Sequence, residues 1–191
     1  MTAPINYSPA LEDKLFSLLD QMRTNEIKQA QKEGREYGIH GLCAVLGYDP
    51  EQHSSYISRL RAGTDIFQNK GSYLQDPEAL AALQEGMKID GAILIDHDGR
   101  FLHSGKYIKC VEESYDKHPH AEDTYLKLQE KADAGTRHMA AIALSAERPD
   151  LLIYTLKSDH PELRIFKGGL IYRSTVPGEV KTVSRYQPEL V

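Results

Sequence analysis

The chain has 191 residues, enough for one domain with a sizeable core. Hydrophobic residues make up 40% and charged residues 27%, the balance of a globular protein rather than a disordered or fibrous one. With 23 basic and 28 acidic residues the formal net charge is -5, so the overall charge draws the chain neither to nucleic acid nor to an anionic membrane. No run approaches a membrane span, and the polar N-terminus MTAPINYSPALEDK lacks the form of a signal peptide, which makes a cytoplasmic protein the expectation. The two cysteines, Cys43 and Cys110, stand outside any CxxC pattern and read as reduced thiols without a zinc site.

In chain order, Ser8-Pro9 reads as an N-cap followed by proline at the first helical position. Leu11, Leu15, Leu18, Leu19 and Met22 recur at helical spacing, which predicts a helix from about Pro9 to about Gly34 whose apolar stripe packs on the domain. IHGLCAVLGY (Ile39–Tyr48) predicts a buried strand. Asp49-Pro50 opens a helix with Gln52 placed for a capping box, and Asp76-Pro77 opens another that runs to about Met87. The stretch between, Gly63 to Tyr73, reads as a loop.

Gly91 to Ile95 predicts an apolar strand, and His97–Gly99 a hairpin turn into RFLHSG. Val111 to Lys131 is polar and acidic, with a helix predicted from about Ala121. Arg137 to Ala146 is alanine-rich and helical. Leu151–Leu156 is a continuous apolar run and predicts a central strand; LRIFK and LIYR follow, joined by Gly168-Gly169. A short strand and a tail are predicted after Pro177. The mixture of strands and helices predicts an α/β fold with a mixed central β-sheet covered by helices. Residues 1–36 form an N-terminal helical extension in this reading, and residues 37–191 the main domain.

Two segments can carry chemistry. In KIDGAILI, Asp90 stands where a strand begins and Gly91 lets a ligand approach the backbone; a carboxylate there can hold Mg²⁺ or Mn²⁺ and poise a hydroxyl. The same residues also suit a solvated strand entry beside a turn. In AGTRHMAAIALS, Gly135-Thr136 before a helix offers backbone N–H groups at the positive end of the helix dipole, with Arg137 and His138 on the first turn. The alternative there is a capping threonine with Arg137 and His138 facing solvent. Lys157 and Ser158 follow a buried strand, where they either reach a nucleotide at the sheet's carboxyl edge or form a plain exit turn. His97, His118 and His120 have no metal-ligand spacing.

Asp90-Gly91-Ala92 opening a strand, and Gly135-Thr136-Arg137-His138 opening an alanine-rich helix followed by a buried strand, resemble the diadenylate cyclase family over roughly Ile39 to Tyr172. The resemblance implies a cytoplasmic nucleotidyltransferase that joins two ATP molecules into the second messenger cyclic di-AMP and releases two pyrophosphates, with Mg²⁺ or Mn²⁺, across a face-to-face dimer. It implies that Asp90 binds metal and activates the 3′-hydroxyl. Gly91, Ala92, Gly135, Thr136, Lys157 and Ser158 would contact ATP, and Arg137 and His138 would hold phosphates. Partners other than ATP and a second copy, such as nucleic acid or a membrane, are not expected. Of the family's branches, the DNA-integrity-scanning one is the nearest, since it too lacks a histidine where Ile89 stands. Met139 replaces the second arginine of the family's helix motif, the spacer between the motifs is longer, and LKSD stands where the family has a serine-acidic segment. A domain of the same fold that binds nucleotide for regulation, with weak or no turnover, is the alternative.

Overall fold

Ser8 and Pro9 open α1 (Pro9–Glu33): the Ser8 hydroxyl oxygen accepts from the Leu11 N–H at 3.3 Å, and Pro9 fills a first-turn position that needs no N–H. Gly34 closes the helix in the left-handed region, at φ 64°, with its own N–H and that of Arg35 reaching back to the Gln31 and Ala30 carbonyls. The computed structural model describes residues 7–59, 65–68, 70–109, 111–130 and 135–180. Cys110, Ala134 and the stretch beyond residue 180, with most of the predicted last strand and tail, lie outside them.

Among the described residues seven strands form one sheet in the order β2-β4-β3-β1-β5-β6-β7. They are β1 (Leu42–Leu46), β2 (Ile57–Arg59), β3 (Ala92–Ile95), β4 (Phe101–Ile108), β5 (Leu152–Leu156), β6 (Leu163–Lys167) and β7 (Leu170–Ser174). β1 and β3 pair parallel; the other neighbours pair antiparallel. Among the described residues five further α-helices join α1: α2 (Pro50–His53), α3 (Ala79–Met87), α4 (Val111–Lys117), α5 (Pro119–Glu130) and α6 (Thr136–Glu147).

Alternation along β1 explains the layering. Leu42, Ala44 and Leu46 point to the face covered by α1 and α3, where Leu11, Leu15, Leu18, Leu19 and Met22 are buried. Cys43 and Val45 point to the opposite face, under Ala141, Ile142 and Leu144 of α6 and Leu128 of α5. Burying each such leucine contributes about 1.5–3 kcal/mol, so α1 is held to the sheet by its stripe. The result is the α/β mixed sheet, covered on both faces and carrying an N-terminal helix, that the sequence predicts.

Two expectations are corrected, and one strand is added that the sequence pattern did not show. The acidic stretch holds two helices, not one beginning near Ala121, because α4 is tied to α6 by polar bonds. The Ser114 hydroxyl donates to the Ala143 carbonyl and the Tyr115 hydroxyl to the Met139 carbonyl, both at 2.9 Å. An apolar period does not record such a helix. β2 is a three-residue edge strand, too short for alternation to show. The capping box at Asp49 does not form: Gln52 donates to the Asp49 carboxylate, and the Asp49 N–H donates instead to His53 Nδ1 at 2.8 Å.

That last bond fixes the tautomer of a fully buried histidine. With Nδ1 accepting, the proton sits on Nε2 and is donated to Asp150 at 3.0 Å. Arg148 grips the same carboxylate with two N–H groups. Burial and the Arg148 charge lower the His53 pKa, against the pull of Asp150. The folded state therefore binds a proton at His53 less readily than the unfolded chain does. Stability is full above the ordinary histidine value, about 6.5, and is lost as pH falls below it toward the lower folded value. Denaturation between pH 8 and pH 5 is expected to show that loss, and His53→Gln, which keeps a donor for Asp150 but cannot titrate, should flatten it. Equal slopes for both proteins would remove His53 as the cause.

Candidate functional site

One cross-strand row forms the floor of the site. Lys106 stands opposite Ala92, Ala92 opposite Cys43, Cys43 opposite Thr155, and Thr155 opposite Arg164. Directly paired residues share a face of the sheet, here the face that α6 covers. Between the long cations at its ends the row carries only Ala92, Cys43 and Thr155. Their small side chains leave a cavity of about 990 Å³ beside the first turn of α6. The Thr155 hydroxyl is buried and has no hydrogen-bond partner among the described residues.

Strand direction brings the chemistry to this cavity. β5 runs against β1 and β3, so its carboxyl end lies beside their amino ends. Lys157 and Ser158 thus follow a carboxyl end, as the sequence places them, whereas Asp90 and Gly91 stand at an amino end. All nine candidates (Asp90, Gly91, Ala92, Gly135, Thr136, Arg137, His138, Lys157 and Ser158) line the one cavity.

Asp90 is 85% exposed at the mouth, and its Oδ1 lies 3.5 Å from an Arg137 Nη. So long and exposed a pair is worth little, which leaves both groups available to a ligand. Gly91 turns the chain into β3 at φ 116°, a left-handed conformation suited to glycine. Gly135 takes the N-cap position of α6 with extended backbone, and its carbonyl accepts from the His138 and Met139 N–H groups. Thr136 and Arg137 begin the helix, where first-turn N–H groups have no intrahelical acceptor. Lys157 lies 3.9 Å from Glu162.

His138 is placed differently from its neighbour. It is buried, its Nε2 faces an Arg164 guanidinium nitrogen at 3.3 Å, and its ring meets Phe166 edge-on. Its Nδ1 faces the Gly135 N–H at 3.4 Å. The imidazole is therefore an internal brace for the helix end, and Arg137 carries the charge at the cavity surface. Arg164 itself is fully buried, bidentate to Glu179 at 2.6 and 2.8 Å and bonded to Glu162 at 2.8 Å.

Sequence reasoning passed over Gly41, Cys43, Lys106, Lys109 and Thr155. Gly41 stands just before β1 under the Arg137 guanidinium: a methyl group there would lie 2.5 Å from Nη1 and 3.1 Å from Cζ. Only the absence of a side chain lets Arg137 lie flat at this spot. Burial pushes the Cys43 thiol up to about 12, with Arg137 pulling the other way, so it is an inert floor residue. Among the described residues no group of three His, Cys, Asp or Glu side chains gathers to hold a metal ion. Exposed carboxylates that do not cluster, Asp90 with Glu113 and Asp159 elsewhere in the lining, fit instead a Mg²⁺ or Mn²⁺ that arrives with phosphate oxygens, since such ions take one or two carboxylates plus ligand phosphates.

No family model and no curated protein matches the chain in sequence. Among the solved structures that share its fold are two bacterial proteins. A hypothetical membrane spanning protein from Bacillus cereus superposes with TM-score 0.54 at 18% identity, over 87% of this chain and 63% of that one. The chain thus spans less than two thirds of the Bacillus protein. A double mutant of DacA from Staphylococcus aureus superposes with TM-score 0.52 at 12% identity, over 87% of each chain. At these identities the likeness is one of fold: the chain is an α/β protein with a DacA-like sheet and helical layers. No helix among the described residues is long and apolar enough to cross a membrane.

Gly41→Ala is expected to leave the fold intact within about 1 kcal/mol, because the clashing atoms are the free end of a flexible side chain. Displacing Arg137 should weaken tripolyphosphate binding about tenfold, the worth of one charge-assisted hydrogen bond. Calorimetry giving the same affinity for Gly41→Ala and wild type would detach Gly41 from the placement of Arg137.

Proposed function

We propose that the chain is a diadenylate cyclase that condenses two ATP molecules into cyclic di-AMP and two pyrophosphates. The observation that carries this reading is the meeting of Asp90 with Arg137, at the first turn of α6, over one cavity in a DacA-like fold. The volume suits a nucleotide, and the two ends of the site suit the two ends of the reaction. Thr136, Arg137 and the N–H groups of α6 hold phosphate oxygens. Gly91 and Ala92 line the nucleoside side, with Lys157 and Ser158 across the cavity. His138 acts from beneath by bracing the helix end. Ile89 ahead of Asp90 supports reading the chain as nearest the DNA-integrity-scanning branch.

In the reaction the 3′-oxygen of one ATP bonds to the α-phosphorus of the other, the bond from that phosphorus to the β-phosphate bridge breaks, and pyrophosphate leaves. Asp90 receives the hydroxyl proton, and Arg137 with the helix N–H groups meets the growing charge. A divalent ion, when bound, supplies Lewis-acid stabilisation at the phosphates. One cavity offers one 3′-hydroxyl and the product needs two phosphodiester bonds, so two copies work face to face. The exposure of Asp90 at the mouth suits that reach toward a second molecule. A second reading, a domain that binds nucleotide for regulation, draws on Met139, which leaves the first turn with one guanidinium at the cavity.

Purified protein incubated with ATP and Mn²⁺ or Mg²⁺ is expected to yield cyclic di-AMP by chromatography. Asp90→Asn should lower the rate at least about a hundredfold, the usual effect of removing a general base. ATP binding without product in the wild type would favour the regulatory reading, and failure to bind ATP would sink both.

A further inference from the structure

The cavity holds a second kind of cation, built into the sheet rather than into the helix. Lys106 points from β4 into the floor row opposite Ala92, and its side chain is 7% exposed, against 41% for Arg137. Burying an ammonium group is costly unless acidic or oxygen partners answer it. Among the described residues its one carboxylate partner is Asp65, at 3.5 Å. That carboxylate is already committed elsewhere. Its Oδ1 accepts from the Phe67 and Ser104 N–H groups at 3.2 and 3.0 Å, and its Oδ2 is held by His103 Nδ1 at 2.6 Å. Burial would raise the Asp65 carboxyl, but the Ser104 N–H, His103 and the Phe67 N–H outweigh it and hold it below the usual carboxylate range. Asp65 thus stays anionic while leaving Lys106 a contact well beyond the 2.7–2.9 Å of a strong charge-assisted bond. The Lys106 ammonium lines the cavity with its charge only loosely answered.

We propose that Lys106 is a fixed polyphosphate-binding cation of this site, held in place and partly neutralised by Asp65. The helix end alone is short of charge for such a ligand. Of its first four residues, Thr136 is neutral, His138 is turned inward to Arg164, and Met139 carries a thioether to the cavity, which leaves Arg137. A chain of phosphates has several negative charges, and a buried lysine on the facing strand answers the part that Arg137 does not. Arg164 is spent on its carboxylates, Lys109 is exposed at the rim and Lys157 is turned toward Glu162, so Lys106 is the least exposed of the lysines and arginines that line the cavity. The identity of the ligand as a nucleotide rests on the function proposed above; the charge chemistry does not.

The test uses the whole chain, without divalent metal, and calorimetry with tripolyphosphate, ATP and adenosine. Lys106→Met is expected to weaken tripolyphosphate and ATP about tenfold or more and to leave adenosine unchanged. Asp65→Asn keeps an acceptor for the two N–H groups but removes the neutralising charge, so it should tighten tripolyphosphate. Met139→Arg added to Lys106→Met should restore the affinity. A merely structural lysine predicts the reverse pattern, in which Lys106→Met and Asp65→Asn both loosen the fold and weaken every ligand. Unchanged tripolyphosphate affinity in Lys106→Met overturns the inference, even where ATP binds tightly and the nucleotide reading stands. ATP binding no tighter than tripolyphosphate, with both dependent on Lys106, upholds the inference and removes the nucleotide reading. Should Lys106→Met fail to fold by thermal melting, the sign of the Asp65→Asn effect decides alone: tightening supports Lys106, and no change or weakening refutes it.

Discussion

A guanidinium with no access to water has to be answered on every side, and Arg164 is the point where this chain does so. Glu179, on the segment after β7, takes it in a two-toothed grip, Glu162 takes a third N–H, and His138 receives the fourth direction. The Ser174 hydroxyl donates to Glu179 in turn, at 2.7 Å. Such a knot contributes little net stability over an apolar core of the same volume, because desolvating the charges costs several kcal/mol per ion. What it does contribute is geometry. Three separate pieces of chain can satisfy the charge in one arrangement, and that arrangement sets the start of α6. Arg137 follows from it, since the residue after it is pinned from below.

The electrostatics of the cavity then divide by depth. At the mouth, Asp90 and Arg137 are exposed and loosely paired, free to exchange each other for a ligand. In the floor, charge is immobile: Arg164 is consumed by its carboxylates, whereas Lys106 is held at a distance from a carboxylate that has other duties. Small side chains between the two keep the space open. A fixed, low-exposure cation loses little conformational freedom when an anion arrives, which favours binding more than a flexible surface lysine would.

The sequence showed most of the fold because the fold is built on apolar periods. The stripe Leu11 to Met22 on α1 and the alternation through Leu42, Cys43, Ala44 and Val45 each say which face is covered. Where packing is polar, the pattern is silent, as for α4, whose Ser114 and Tyr115 hydroxyls bond the α6 backbone. The short motifs at Asp90 and Gly135 were legible by likeness, and the fold does bring them to one cavity. Gly41 and Lys106 were not. Each matters through a residue far away in the chain, Arg137 on a helix for the first and Asp65 in a loop for the second, and only the folded chain makes those neighbours. His138 reads on paper like the twin of Arg137. Helical geometry turns adjacent residues about 100° apart, so one faces the cavity and the other the core.

The mixed order of the sheet also governs when the molecule can fold. β1 is the central strand, yet it is made early, and one of its two partners, β5, lies beyond both α5 and α6 in the chain. Until the segment through Leu156 has been synthesised, β1 has an unpaired edge of five apolar residues and α6 has no floor to sit on. Contacts of such sequence separation are slow to form, because the loop must close before any of them rewards it. The parallel pair of β1 with β3 and the hairpin of β3 with β4 can assemble first, under α1 and α3. A nascent chain that has made only its first hundred or so residues, by this order, is a half-sheet with one sticky side, and its exposure to aggregation or to a chaperone ends when β5 slots in beside β1.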